Sequence, residues 1–152
     1  MRFFNLYGPR QDPNSPYSGV IAIFADRLAR GEPVEIFGDG QQVRDFTYVG
    51  DAVSALCRAM PAASTRACVF NVCTGKGTTV QALAETMAAF YRTELVAYHR
   101  PVRYGEVRVS IGDPRLAAEQ LGFRAETRLT DGLAMTFNVP RARLGSKTRA
   151  VA

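Results

Sequence analysis

Residues 35–53 restrict the fold more than any other segment, because short apolar runs alternate there with turn residues. One apolar run ends at Phe37, and the Gly-Asp-Gly segment at residues 38–40 tolerates a positive φ. An extended run resumes at Arg44, and Asp51 can cap a helix after it. The pattern predicts a strand, a hairpin-like turn, a second strand and a helix.

Arg44, just past this turn, has a side chain suited to anion binding. Its planar guanidinium can donate to two oxygens of a phosphate or a carboxylate, and the neighbouring Asp45 can hold it in place. Arg-Asp pairs after turns are also common as surface ion pairs, which contribute about 1 kcal/mol at most. The residue types alone leave both interpretations open.

The composition is that of a chain with one hydrophobic core. Its 152 residues are 47% hydrophobic and 22% charged, which argues against disorder. The net charge of +5 is uneven, because all 14 acidic residues but only 15 of the 19 basic ones precede Val139. The sequence therefore predicts a domain at residues 1–138 and a basic, disordered tail at residues 139–152. A nucleic-acid partner is not expected, since it would need a basic patch on the domain.

The patterns of cysteine, histidine and hydropathy exclude several classes of site. Cys57, Cys68 and Cys73 are odd in number and lack CxxC spacing, so we expect reduced, mostly buried thiols. His99 is the only histidine, which excludes a His-rich metal site. No apolar run of about 18 residues and no signal-peptide pattern occurs. We expect a cytoplasmic protein with no metal site and no membrane partner.

Hydrophobic periodicity predicts an α/β fold in which helices and short strands alternate. The first helix has an apolar stripe that includes Phe24 and Leu28, the third has one that includes Leu83 and Met87, and Gly122 is expected to end the fourth. Extended runs are predicted at residues 1–6, 34–37, 44–49, 67–73 and 95–98, and helices at residues 18–30, 51–60, 78–90, 113–122 and 130–138.

Four details of this prediction concern a buried strand, a helix cap, a loop and the apolar face of a helix. The 67–73 run is apolar almost throughout, as is typical of a strand buried on both faces. Thr78 and Gln81 fit a capping box, and residues 99–105 are expected to form a loop. The second helix is expected to turn one apolar face toward the core, formed by Val53, Leu56, Cys57 and Met60.

Two further segments carry donors that could bind a ligand. Asn5 ends an extended run, where a side-chain amide can donate to a ligand at the carboxyl edge of a sheet or can merely cap the strand. Arg103 lies in the loop that follows His99, where it can bind an anion or remain solvated. Residue type alone does not decide between these alternatives.

Three segments are similar to motifs of the extended short-chain dehydrogenase/reductases, the NAD-dependent nucleotide-sugar epimerases and dehydratases. Residues 38–51 resemble its Gly-Asp-Gly-x-x-x-Arg-Asp-(Phe/Tyr)-x-x-(Val/Ile)-x-Asp signature. Residues 2–13 resemble its Arg-(Tyr/Phe)-Phe-Asn-Val-(Tyr/Phe)-Gly-Pro-Arg-Gln segment. Residues 103–114 resemble its Arg-Pro-Gly-Asp-Val segment, with Tyr104 in place of the proline. The match spans about residues 2–137.

The resemblance implies a role for each matching residue. Asn5, Arg44 and Arg103 would bind the diphosphate of a UDP- or dTDP-sugar, and Phe4 would lie near the nicotinamide end of the cofactor. Gly19, Val20 and Phe24 would close the nucleobase pocket. The backbone of Glu35, Ile36 and Phe37 would recognise the edge of the base. Ser110 stands where some hexose epimerases have a tyrosine, so it would lie near the sugar.

The family's oxidoreduction motifs do not occur in this sequence. There is no GxxGxxG loop, and none of the six tyrosines is followed by lysine four residues later. The resemblance therefore implies the C-terminal, substrate-binding part of an extended Rossmann-type enzyme of the UDP-glucose 4-epimerase kind, without its N-terminal dinucleotide-binding half. NAD would serve the complete enzyme, and we expect neither catalytic residues nor NAD binding in this chain alone.

Two functional hypotheses follow from this resemblance. In the first, the chain is a nucleotide-sugar-binding portion of an epimerase or dehydratase that is inactive alone. In the second, it is a non-enzymatic or split-enzyme module that docks on a partner supplying the NAD-binding half, or on a second copy of itself. Residues 1–6 and 67–73 favour docking, because unpaired strands there would expose apolar edges.

Overall fold

The computed structural model of the chain describes residues 1–15, 19–62 and 67–137. The tail predicted at residues 139–152, and residue 138 of the predicted domain, lie outside the described residues. The helices are α1 (Val20–Ala29), α2 (Val49–Ala59), α3 (Val80–Tyr91), α4 (Arg115–Leu121) and α5 (Leu129–Thr136). The strands are β1 (Arg2–Phe3), β2 (Asn5–Tyr7), β3 (Val34–Phe37), β4 (Val43–Arg44), β5 (Phe46–Tyr48), β6 (Asn71–Val72), β7 (Thr78–Thr79), β8 (Ala97–Arg100) and β9 (Val109–Ser110).

The strands pair mostly in parallel, as expected for an α/β fold. β1 pairs with β6, β2 with β5 and β3 with β8, all in parallel. β4 lies between β7, which is antiparallel to it, and β9, which is parallel. The single strand predicted at residues 1–6 is divided at Phe4, because the Phe4 N–H donates to Val72 whereas the Asn5 N–H donates to Asp45.

The predicted hairpin at residues 38–40 is wrong. Gly38 and Gly40 do adopt positive φ, 75° at each, but the strands on either side of them belong to different sheets. The N–H groups of Val80 and Gln81 donate to the carbonyls of Gln42 and Gly40. The turn is therefore fixed on the beginning of α3 instead of closing a ladder between β3 and β4.

The larger core lies between α1, α3 and β3. The apolar stripes predicted for α1 and α3 are confirmed, because Phe24 and Leu28 of α1 and Leu83 and Met87 of α3 are buried. α3 begins one residue later than the capping box predicts. The Thr79 hydroxyl accepts the Ala82 N–H at 3.0 Å, whereas Thr78 lies in β7 opposite Arg44.

The smaller core packs α2 and α4 on β6, and here the predicted helix face is wrong. The small residues Ala52 and Ala55 face the core, beside Val72 and Phe123. Small side chains allow close packing, and this orientation directs the larger apolar residues outward. The exposed fractions are 54% for Val53, 45% for Leu56 and 74% for Met60, and Cys57 is exposed as well.

The strand predicted at residues 67–73 is also shorter and more exposed than expected. Only Asn71 and Val72 pair with β1, whereas Cys68 and Val69 are exposed. Burial on both faces would need layers on each side of the strand, and the described residues cover one side. Of the three thiols predicted to be mostly buried, only that of Cys73 is buried.

Two predicted element ends also differ. Asp51 does not cap α2, which begins after Tyr48; its carboxylate accepts the N–H groups of Glu126 and Thr127. β8 extends to Arg100, so His99 belongs to a strand and not to a loop.

Within the described ranges no helix is long and apolar enough to cross a membrane.

Candidate functional site

A cavity of about 370 Å³ lies between α1 and β3 and extends to the loop before β9. It brings together residues that are distant in the sequence. Eight of the ten predicted substrate-binding residues line it: Asn5, Val20, Phe24, Glu35, Ile36, Phe37, Arg44 and Arg103. Gly19 and Phe4 line an adjacent cavity that shares Asn5 and Val20 with the first. Ser110 does not line either cavity; it lies opposite Arg44 in the β4–β9 pair.

Arg44 is held by acceptors on the loop before β9. One guanidinium nitrogen donates to the carbonyls of Val107 at 2.7 Å and Val43 at 2.9 Å, and the other pairs with the carboxylate of Glu106. The Arg44 side chain is only 14% exposed. The guanidinium is therefore fixed in orientation, and two of its five N–H donors are not used by these bonds.

Asp45 does not hold Arg44, contrary to the sequence-based expectation. Its fully buried carboxylate accepts the N–H and hydroxyl of Thr74, at 2.9 and 2.7 Å, and the N–H groups of Gly75 and Gly112, at 2.8 and 3.3 Å. These bonds connect the loops after β6 and β9 to the β4–β5 segment. Asp45 is thus a structural residue, which agrees with the absence of an acid/base pattern around it.

Arg103 reaches the cavity from the same loop that carries Glu106. Its guanidinium carbon lies 3.7 Å from the centre of the Phe37 ring, a cation–π contact. The turn that positions it is closed by the Glu106 N–H, which donates to the Arg103 carbonyl, and Gly105 supplies the positive φ of 76°. One short loop therefore brings a guanidinium and a carboxylate to the cavity.

The edge of β3 that faces the cavity is defined by its pairing with β8. The N–H groups of Val34 and Gly38 donate to the carbonyls of Val96 and Arg100. Backbone groups of successive strand residues point to alternate sides, so those of Glu35 and Phe37 are directed away from β8. Both residues line the cavity.

Charge around the cavity is mixed, with an excess of guanidinium groups. Arg27, Arg44 and Arg103 line it together with Glu35 and Glu106. The hydrogen bond from Arg100 lowers the pKa of the Glu35 carboxyl, which also lies 3.4 Å from Arg27. The carboxylate therefore stays ionised near neutral pH and pairs with arginines on both sides.

Several residues of the cavity were not predicted from the sequence, notably Gln42, Glu106, Arg27, Ile23 and Val80. A signal existed for Glu106, which stands at the acidic position of the Arg-Pro-Gly-Asp-Val segment. Gln42 lies two residues before Arg44, but no periodicity indicates that its side chain is buried. Arg27, Ile23 and Val80 belong to helices whose packing must be known first.

The side chains that could ligate a metal do not gather into one site in the described part of the chain. Burial raises the pKa of the Cys73 thiol to about 11, so it is not a thiolate at neutral pH. Phe4 lines a cavity, but the sequence contains neither a Gly-rich dinucleotide loop nor a Tyr-x-x-x-Lys pair that could accompany it. These residues do not by themselves fit NAD.

Known proteins are similar to this chain in both sequence and fold. Residues 1–73 match the NAD dependent epimerase/dehydratase family. A UDP-glucose 4-epimerase from Mycolicibacterium smegmatis is 39% identical over 133 residues, 87% of this chain and 42% of that protein. A putative UDP-glucose 4-epimerase from Methanocaldococcus jannaschii is 38% identical over 141 residues, 91% of this chain and 44% of that protein.

Solved structures agree with the sequence matches. UDP-glucose 4-epimerase of Thermotoga maritima with UDP-glucose has a TM-score of 0.82 at 44% identity, over 95% of this chain and 46% of that one. UDP-N-acetylglucosamine 4-epimerase from Methanobrevibacter ruminantium has a TM-score of 0.83 at 32% identity, over 90% and 44%. The chain thus spans less than half the length of these relatives. It belongs to the NAD-dependent epimerase/dehydratase family and has the α/β architecture of the C-terminal part of an extended short-chain dehydrogenase/reductase.

Proposed function

We propose that this chain binds the nucleoside diphosphate part of a UDP- or dTDP-sugar in the cavity between α1 and β3. The observation that carries the proposal is the meeting of Asn5, Arg44 and Arg103 around one cavity. These residues are far apart in the sequence and come from a strand end, a second strand and a loop. Their roles in binding are part of the proposal.

The diphosphate is the part of the ligand that the guanidinium groups suit. A pyrophosphate offers several anionic oxygens, and charge-assisted hydrogen bonds to them are roughly twice as strong as neutral ones. The bonds of Arg44 to Val43, Val107 and Glu106 leave two of its five N–H donors for the ligand. Arg103 can contribute from the face of Phe37, and the Asn5 amide from the end of β2.

The nucleobase part of the proposal rests on the edge of β3. Its outward groups follow the order donor, acceptor, donor in the Glu35 N–H, the Glu35 carbonyl and the Phe37 N–H. The imide edge of uracil or thymine has the complementary order of acceptor, donor, acceptor. Cytosine has no proton at the central nitrogen, so its lone pair would meet the Glu35 carbonyl. Val20 and Phe24 of α1 would cover the base, and Gly19 the approach to it.

The chemical step does not belong to this chain in our proposal. In the complete family enzyme NAD supplies hydride transfer for inversion, and this chain's residues would orient the substrate only. Phe4 would lie near the nicotinamide and Ser110 near the sugar. We propose that the chain alone neither binds NAD nor turns over a nucleotide sugar. The cytoplasmic location expected from the sequence stays a prediction.

Thermal shift and calorimetry with the 152-residue chain test this function. UDP-glucose and UDP should raise the Tm, whereas NAD should not, because a ligand that binds only the folded state stabilises it. Addition of NAD and UDP-glucose together should give no epimerisation. A folded sample that shows no shift with UDP-glucose, or a shift with NAD alone, would exclude the proposal.

A second candidate function is docking on a partner that supplies the NAD-binding half. The specific observation is a set of exposed apolar residues on and next to α2 and the β1–β6 pair. Its exposed members are Phe3, Val53, Leu56, Met60 and Val69, which are 41% to 74% exposed. Apolar patches of this kind mark interaction sites when they are contiguous.

Co-purification with a separately expressed dinucleotide-binding half of a relative tests docking. The expected result is a one-to-one complex that gains epimerase activity with UDP-glucose. A reading frame encoding GxxGxxG and Tyr-x-x-x-Lys directly upstream would favour one continuous enzyme, and a separate gene would favour a split pair. A chain that stays monomeric in light scattering at high concentration, with or without that half, would exclude docking.

A further inference from the structure

Gln42 occupies a position that the proposed function does not use. Its side chain is buried, with an exposed fraction of 7%, and it lines the cavity between α1 and β3. The side-chain amide nitrogen donates to the Phe37 carbonyl at 2.9 Å. That carbonyl is the last acceptor on the edge of β3 that is directed away from β8.

Gln42 is itself held in place by the start of α3. Its own carbonyl accepts the Val80 N–H at 3.1 Å, and the Gly40 carbonyl accepts the Gln81 N–H at 2.9 Å. The backbone of Gln42 is therefore anchored on a helix that belongs to the larger core. The side-chain amide can remain on the Phe37 carbonyl while a ligand enters or leaves.

The hydrogen bond changes what the edge of β3 offers to a base. Without it, the edge would read donor, acceptor, donor, acceptor, ending at the Phe37 carbonyl. A cytosine could then shift along the strand and pair its ring nitrogen with the Phe37 N–H and its amino group with the Phe37 carbonyl. The Gln42 amide takes one of the two lone pairs of that carbonyl, and its buried side chain lies beside it, so the cytosine amino group meets a poorer acceptor there.

We infer that Gln42 is a specificity-determining residue, which favours bases with an imide edge over cytosine by weakening the Phe37 carbonyl as an acceptor. The inference rests on the proposed function, since it concerns the base of the same nucleotide. Gln42 would act through the backbone of Phe37 without touching the ligand, so it is a positioning residue. A substitution of Gln42 should therefore change the ratio of the Kd values for two bases, beyond any loss of affinity for both.

Substitution Gln42→Met tests this role, because methionine is similar in length and apolar but cannot donate. We compare the Kd values of UDP and CDP for the wild type and for Gln42→Met by calorimetry. The wild type should prefer UDP by about tenfold or more, the worth of one unpaired buried polar group. In Gln42→Met the preference should fall severalfold, mainly because CDP binds more tightly. Gln41→Met, at an exposed position next in the chain, is the matched control and should keep the wild-type ratio.

The outcomes separate the two proposals. A folded wild type that binds no UDP overturns the proposed function and this inference with it. A wild type that prefers UDP, together with a Gln42→Met variant that has the same UDP-to-CDP ratio, overturns the role of Gln42 alone. An equal loss of affinity for both nucleotides would mean that Gln42 only stabilises the turn, and would also overturn it.

A second measurement keeps the test decisive if Gln42→Met does not fold. In the wild type, NMR can follow the side-chain amide protons of Gln42 in the UDP complex. The inference expects slow exchange with solvent, because the amide remains bonded to the Phe37 carbonyl. Fast exchange in the complex would show that the carbonyl is released on binding and would overturn the inference.

Discussion

The two sides of the molecule differ in how completely their apolar residues are covered. Around the candidate cavity, α1 and α3 enclose large buried residues such as Phe24, Leu83 and Met87. On the other side, α2 buries only alanines and leaves Val53, Leu56 and Met60 exposed. The first region holds the cavity of the proposed binding site, and the second holds the exposed apolar residues of the proposed docking. The variants that follow test how far the two are independent.

The largest effect is expected from Asp45, which joins the two regions. Asp45→Ala removes the acceptor for the Thr74 hydroxyl and for the N–H groups of Thr74, Gly75 and Gly112. One of these four bonds is buried and three are partly buried, and an unpaired buried donor costs about 1–3 kcal/mol, so the variant should lose a few kcal/mol of stability. Urea unfolding followed by circular dichroism measures the loss. Asp39→Ala removes an exposed ion pair and should change the stability far less.

If Asp45→Ala unfolded at nearly the wild-type urea concentration, the loops after β6 and β9 would be held by other contacts. The two regions would then be more independent than the hydrogen bonds of Asp45 indicate.

A smaller but more specific effect is expected from the arginines of the cavity. Arg44→Ala and Arg103→Ala should each weaken UDP binding by about tenfold to a hundredfold, because each removes charged hydrogen bonds worth about 1.5–3 kcal/mol. Isothermal titration calorimetry measures the change. Arg108→Ala serves as the control, since this side chain is 61% exposed, pairs with Asp39 and does not line the cavity.

UDP affinity that is unchanged in both cavity variants would mean that the guanidinium groups do not contact the diphosphate. A loss in Arg108→Ala of the same size would attribute the effect to net charge and not to the cavity.

The contrast between the regions also shows what the sequence could predict. The stripes of α1 and α3 were predicted correctly because large apolar residues recur there at helical spacing, and Gly122 was correctly predicted to end α4. The stripe of α2 has the same spacing but points outward. Periodicity identifies a face of a helix, and it does not say whether this chain or another molecule covers it.

The residues that line the cavity could be predicted from the sequence only where they belong to a recognisable motif. Asn5, Arg44 and Arg103 were selected from segments that resemble a family, and the structure brings them to one cavity. The partners of these residues were not predictable from local sequence. Asp45 bonds to residues 29 to 67 positions away, and Gln42 is buried because of the path of the turn. Such contacts depend on the tertiary fold.

The thiols offer a direct measurement of how far the second region is exposed. Cys57 and Cys68 are exposed, whereas Cys73 is buried and its thiol pKa is raised to about 11. A disulfide reagent at pH 8 should therefore modify two thiols quickly in the native chain and the third only after unfolding. Counting the released chromophore with time measures both phases.

The modification rates of the same thiols can also be compared with and without an added partner. Protection of Cys57 by the dinucleotide-binding half of a relative would place the interface on α2. Rapid modification of all three thiols in the native chain would instead mean that the structure around Cys73 opens readily.

The smallest effect is expected from the exposed ion pair that joins the turn at residues 38–40 to the loop before β9. The Arg108 guanidinium donates to both oxygens of Asp39, at 2.6 and 2.9 Å, and holds the pKa of that carboxyl at about 2. The pKa is lowered in the folded chain, so the pair stabilises it above about pH 4 and loses that effect as the pH falls toward 2. The Tm of Asp39→Asn should therefore be slightly below that of the wild type at pH 7, and the two should converge as the pH approaches 2. A difference that grows on acidification would contradict the sign of this linkage and would point to a repulsive environment for the carboxylate.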